Sequence, residues 1–190
     1  MTYCQFAATL SADSTDPNKH YHDHVYGFAV EADNELFARL VLEINQAGLS
    51  WTTILKKWQG FYQAYAQFDI ATVAAFNEAD VARLLADASI IRNRLKVQAV
   101  VYNAQQIMGL QQEYGSFKAW LDHHHPLDKN AWVKLFKQHF KFVGGEIVNE
   151  FLMSTGYLAG AHEESCPVLS QVLASKPLFA QTPLQDDTPC

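Results

Sequence analysis

The chain has 190 residues, 49% apolar and 13% aromatic, with a formal net charge of −6. That length and apolar content suit one domain with a sizeable core. No apolar run approaches the ~18 residues of a membrane span, and residues 1–6 lack the charged-then-apolar order of a secretory signal, so a cytoplasmic protein with no membrane partner is expected.

Residues 1–32 read as irregular, with Ser, Asp, Thr, Pro and Asn gathered in 11–18. Asp33 is then placed to cap a helix whose apolar positions are Leu36, Phe37, Leu40, Val41 and Ile44, and Gly48 ends it. Ser50 caps the next, carrying Ile54, Leu55 and Phe61, and Asn77 starts another with Val81, Leu84 and Leu85. Residues 90–112 predict one long helix through Ile91, Leu95, Val100 and Ile107, and shorter helices fit 116–123, 129–140 and 146–156. Period-two alternation is nearly absent. The fold class is therefore all-α, a single domain over 1–174 with room for two lobes, followed by an irregular tail over 175–190.

The acidic charge argues against a nucleic-acid partner, but its distribution tempers that. Eight of the 14 Lys and Arg fall in three clusters: Lys56 and Lys57; Arg92, Arg94 and Lys96; Lys134, Lys137 and Lys141. Brought together, they make one face locally positive on an acidic body; kept apart, they are three solvated helix faces. The three cysteines, Cys4, Cys166 and Cys190, are an odd count. Free thiols or metal ligands fit a reducing compartment better than a disulfide framework.

Three motifs carry chemistry. Glu43 lies seven positions after Leu36 and three after Leu40, at the edge of an apolar face. A carboxylate there needs a partner: either a neighbouring amide or an Arg supplies it, or the site awaits a cationic or donor-bearing ligand. The turn Gly48-Leu49-Ser50-Trp51 puts a large aromatic nearby, which suits a flat positive ligand or simply fills core. Phe142-Val143-Gly144-Gly145 between two helices can turn backbone N–H groups toward a phosphate, with Lys137 and Lys141 alongside; an ordinary Gly turn is the alternative. Finally, His162 and Cys166 are four apart, so one helical turn would aim both at one point, and Cys4 and His22 can complete a Cys2His2 tetrahedron. His123-His124-His125 is the competing cluster. No Walker-type phosphate loop and no Gly-x-Ser-x-Gly elbow occurs.

These residues resemble the bacterial 3-methyladenine DNA glycosylase I family of the helix-hairpin-helix superfamily. The likeness runs from Cys4 to about Cys166, on Tyr21-His22-Asp23, on Glu43 with Gln46-Ala47-Gly48-Leu49-Ser50-Trp51 and Ile54-Leu55-Lys56-Lys57, on Ile90-Ile91-Arg92 with Arg94 and Lys96, and on Phe142-Val143-Gly144. The resemblance implies a helix-hairpin-helix fold and a monofunctional hydrolase that flips 3-methyladenine out of double-stranded alkylated DNA. It implies that Glu43 is the catalytic and base-binding acid, that Tyr21, Tyr26 and Trp51 line the base pocket, and that Gly48 and Leu49 fill the gap in the duplex. Lys141, Val143, Gly144 and Gly145 would meet the DNA backbone, and Cys4, His22, His162 and Cys166 would bind a structural Zn2+. A monomer is expected.

The chain also departs from the family pattern. Val25 and Tyr26 stand where the family's motif has Glu and Trp, the run from Glu146 to Ser154 after the hairpin differs, and one residue is inserted before His162. The Asp that many helix-hairpin-helix glycosylases carry after the hairpin is missing from Gly156-Tyr157-Leu158-Ala159-Gly160-Ala161, as is any Lys of a lyase. Two other readings follow: the same fold with a different alkylated purine, or a DNA-damage binding protein without catalysis. A zinc hydrolase built on the His162/Cys166 pair is a third.

Overall fold

A computed structural model describes residues 1–181, and in these every regular element is helical. In chain order they are α1 (Tyr3–Ala8), α2 (Pro17–His24), α3 (Asp33–Gln46), α4 (Trp51–Lys56), α5 (Trp58–Ala64), α6 (Ile70–Ala74), α7 (Glu78–Ala86), α8 (Arg94–Tyr114), α9 (Phe117–His124), α10 (Lys129–His139), α11 (Gly145–Ser154) and α12 (Leu169–Ala174). Short 3-10 turns cover Ala66–Phe68 and Leu178–Ala180. Among the described residues no helix is long and apolar enough to cross a membrane.

The expectation of an irregular N-terminal segment fails, because α1 and α2 occupy much of it. Both have caps written in the sequence. Thr2 accepts from the Gln5 amide while the Gln5 side chain returns to the Thr2 amide, a capping box, and Asp16 caps α2 with Pro17 in the first turn. At six and eight residues they are too short for a periodic signal.

α3 is the central helix. Every residue from Leu36 to Asn45 is buried, as befits a helix surrounded by others. It packs against α4, α8, α9 and α11. Asp33 does not cap it; the N-cap is Ala32, with no side-chain bond. The Asp33 carboxylate instead accepts from the Phe117 amide at 2.8 Å, the Lys118 amide at 2.9 Å and Gln111 Nε2 at 2.7 Å, closing the N-terminus of α9 from across the fold.

Ser50 and Asn77 cap as their positions predict, on the Thr53 amide and on the Ala79 and Asp80 amides. The helix from Ser50 does not continue through Phe61, since a break at Lys57 divides it into α4 and α5. The long helix starts at Arg94 rather than residue 90 because Asn93 Oδ1 accepts from the Leu95 and Lys96 amides. Leu95 points outward, 67% exposed. One core runs continuously from Val30 to Tyr157. Of the tail expected over 175–190, residues 182–190 lie outside the described residues; the part before them is tied down by Ser175 Oγ on the Ala29 amide and the Phe179 amide on the Gly156 carbonyl.

Candidate functional site

Three polar residues are buried on α3: Arg39, Glu43 and Asn45. Arg39 Nε donates to Glu35 at 2.8 Å and its guanidinium to the Val25 carbonyl at 3.3 Å. Asn45 Nδ2 donates to the Val41 carbonyl one turn back, and Gln46 to the Leu49 carbonyl. The neighbouring amides are thus committed elsewhere, and nothing among the described residues hydrogen-bonds the Glu43 carboxylate. Glu43 opens instead into a cavity of about 390 Å³, lined by Tyr3, Tyr21, Tyr26, Gln46, Trp51, Glu146 and Glu150.

The cavity has aromatic walls. Tyr21 and Trp51 meet edge-on at 5.0 Å between centroids, and Tyr21 and Tyr26 lie at 5.7 Å. The Glu43 carboxylate thus faces this space with no hydrogen-bond partner among the described residues, an arrangement that costs free energy until something fills it. Burial, reinforced by the charge of Glu150 and opposed by Arg39, pushes the Glu43 carboxyl up to about 8. The sequence singled out Glu43, Tyr21, Tyr26 and Trp51, and the structure brings these four around one space. It did not reveal Tyr3, Gln46, Glu146 or Glu150. Only the four-residue spacing of the two glutamates hinted that they share a face of α11.

Beside the cavity lies the turn after α3. Gly48 has φ +82, where a side chain would be strained, and Leu49 is exposed at 38%. Lys96, which reads as part of a basic surface cluster, turns inward: Nζ donates to the Asn45 carbonyl at 2.8 Å and the Ala47 carbonyl at 2.7 Å, and lies 5.7 Å from the centre of the Phe142 ring. One buried ammonium therefore holds both the Gly48–Leu49 turn and the tip of the hairpin. Burial lowers its basicity.

The hairpin joins α10 to α11. Phe142 takes φ +59 and is partly exposed, whereas Val143 points into the core at 6% exposure; only its backbone can face a partner. Asn103, fully buried on α8 and not evident as functional from sequence, clamps the hairpin by accepting from the Lys141 amide at 2.8 Å and donating to its carbonyl at 3.1 Å. Gly144 and Gly145 have open space where side chains would be, and α11 begins without a side-chain cap. The Lys141 ammonium lies 3.9 Å from the centre of the Tyr102 ring.

Cys4, His22, His162 and Cys166 converge, with all four ligand atoms within 4.8 Å of one another. His162 and Cys166 reach the point from an irregular turn, not from a helix as their spacing predicts. His162 Nδ1 lies 3.7 Å from Cys4 Sγ and 3.4 Å from Cys166 Sγ, and His22 Nε2 lies 3.7 Å from Cys166 Sγ. The N–S edge of a zinc-centred tetrahedron is ~3.5 Å, from the usual Zn–S and Zn–N bond lengths. The outer ring nitrogens are engaged as metal-binding histidines require: His22 Nδ1 with Asp23 at 2.7 Å, and His162 Nε2 with the Tyr26 carbonyl at 2.8 Å. The residues fit a four-ligand metal.

The chain is similar to known methyladenine glycosylases. The family model for methyladenine glycosylase matches residues 11–133. The DNA-3-methyladenine glycosylase 1 of Escherichia coli K12 is 35% identical over 165 residues, covering 77% of this chain and 88% of the relative. A Staphylococcus aureus structure addressing 3-methyladenine recognition by 3-methyladenine DNA glycosylase I superposes with a TM-score of 0.75 at 32% identity, covering 88% of this chain and 97% of that one. A structure of a single-residue variant of 3-methyladenine DNA glycosylase I in complex with 3-methyladenine gives a TM-score of 0.76 at 32% identity, with the same coverage.

Proposed function

The chain belongs to the methyladenine glycosylase family, and on that premise we propose that it excises 3-methyladenine from alkylated double-stranded DNA, as a monomer and without lyase activity. The observation that carries the reading is the Glu43 carboxylate, buried and without a hydrogen-bond partner among the described residues, in a cavity walled by Tyr21, Tyr26 and Trp51.

The chemistry asks little of an acid. N3-methylation leaves adenine positively charged while it is attached to the sugar, so the glycosidic bond is already weak. The protein has to extrude the nucleotide and hold the base. Aromatic faces favour the cation over neutral adenine. Glu43, in a site of low dielectric, strengthens that preference and can accept from the exocyclic amine. Glu43 also orients the attacking water. The exposed Leu49 after Gly48 occupies the gap left by the base, while Lys141 and the backbone of Val143, Gly144 and Gly145 meet phosphates near the uncapped start of α11.

A zinc ion on Cys4, His22, His162 and Cys166 would be structural, since four protein ligands leave no position for water. That coordination speaks against a zinc hydrolase.

The test is to incubate the protein with methylated duplex DNA and separate the freed bases by chromatography. Release of 3-methyladenine, leaving an unbroken abasic strand, is the expected result. Binding without release would make the protein a damage-binding module, and release of a different purine alone would assign it another selectivity.

A further inference from the structure

The cavity holds a second carboxylate whose presence a single catalytic acid does not explain. Glu150 on α11 lines the same space as Glu43 on α3. Its Oε2 accepts from the Tyr26 hydroxyl at 3.0 Å. Its charge is one of the causes that raise Glu43, so the two groups feel each other directly. Glu146, one turn earlier, also reaches the rim, but its side chain is 83% exposed and paired with Lys129 at 3.1 Å, so its charge is screened. Among the described residues no Lys, Arg or His lines the cavity. Arg39, 5.5 Å from the centre of the Tyr21 ring, is engaged by Glu35 and the Val25 carbonyl and only partly offsets the raising of Glu43. The site therefore concentrates two carboxylates with no cation of its own.

Tyr26 and Glu150 are thus joined by a hydrogen bond across the wall of the pocket.

We infer that Glu150 is a specificity-determining residue that, with Glu43, tunes the pocket to a positively charged purine and against the same purine once neutral. This deepens the base-excision reading above and rests on it. In that reaction the C1′–N9 bond breaks with its electron pair going to the base, which cancels the ring's positive charge. Water oxygen bonds to C1′, and the proton it loses goes to solvent. The base thus enters charged and leaves neutral. Two carboxylates stabilise the first form much more than the second, so the pocket holds the substrate base and lets the product go.

The experiment titrates the full chain with two free ligands, following tryptophan fluorescence: 3,9-dimethyladeninium, a permanent cation, and 3-methyladenine. It is run at about pH 8.5, above the value to which Glu43 is raised, where 3-methyladenine is neutral. The wild-type protein prefers the cation. Glu150→Gln loses about tenfold of that preference, the effect of one partly screened charge a few ångströms away, while its affinity for neutral 3-methyladenine holds and so reports an intact fold. Glu146→Gln, at the screened position, keeps the preference within about twofold. An unchanged preference in Glu150→Gln overturns the inference, and so does an equal loss in both variants. If the wild-type protein binds neither base, the base-pocket reading itself falls.

Discussion

Replacing Glu43 by Gln should stabilise the protein, by an amount that grows with pH. The side chain is 5% exposed, and its carboxyl is raised from 4.5 to about 8, first by burial and then by Glu150, against a smaller opposing effect of Arg39. A raised carboxyl means that the folded chain holds a proton the unfolded chain has already lost. Stability therefore falls as pH rises from about 4.5 to about 8, by roughly 1.4 kcal/mol per pH unit, and the loss levels off above that. Allowing for water entering the cavity, the plateau is roughly 2–4 kcal/mol. For a chain of this size that is roughly 5–10 °C in Tm.

Gln keeps the shape and removes the charge. Its advantage should be near zero at pH 5 and largest at pH 8 to 9. Relief of the repulsion on Glu150, itself raised chiefly by burial, adds to the gap. Thermal unfolding followed by circular dichroism at fixed ionic strength measures it, because other titrating groups are common to both proteins. A difference in Tm that stays flat across that range, or a variant less stable at high pH, would refute the reasoning. The same variant should lose base excision, since a site built for function is often a site of low stability.

Two further outcomes follow. The purified protein should carry about one zinc per chain, measured by atomic emission; Cys166→Ser should lose it and unfold at lower temperature, whereas a chelator that leaves Tm unchanged would count against a structural metal. Lys96→Met should bind abasic duplex about tenfold more weakly, the loss of charge-assisted bonds to the Asn45 and Ala47 carbonyls, yet bind free 3-methyladenine as the wild type does; equal losses on both ligands would mean that Lys96 supports the whole fold and not the turn.

What the sequence made legible follows from where each signal resides. α3 and α7 announce themselves because their apolar residues recur at helical spacing and Asn77 caps α7. Glu43 stood out because it interrupts that spacing. α1 and α2 escaped because six- and eight-residue helices carry little periodicity, although their caps were readable. Asp33 was misplaced because a carboxylate at a helix start has two helices to choose from, and only the packing of α3 on α9 decides. Lys96 and Glu150 were illegible for a similar reason. In sequence each is a charged residue on a helix, as solvated ones are. Lys96 turns inward because α3 ends with free carbonyls beside it, and Glu150 because α11 packs on α3. Leu95 shows the converse, an apolar residue at the right spacing in a helix whose start lies later than the spacing implied.

The metal-ligand cluster and the cavity are built from neighbouring residues in the chain. Tyr3 precedes Cys4, Tyr21 precedes His22, and Tyr26 offers its carbonyl to His162 while its hydroxyl reaches Glu150. Three of the cavity's aromatic walls are therefore one residue or one hydrogen bond from a ligand. α1 and α2 contribute no buried residue to the main core; they pack in two small clusters that contain Cys4 and Cys166, and Tyr21, Tyr26 and Ala161. Such a segment, with little apolar surface of its own, is where a four-ligand metal has the most to add. It can fix the tyrosines against α3 and α11 without a larger core. The aromatic wall would then be as rigid as the coordination, and the geometry that sorts a charged base from a neutral one would rest on a metal that never touches either.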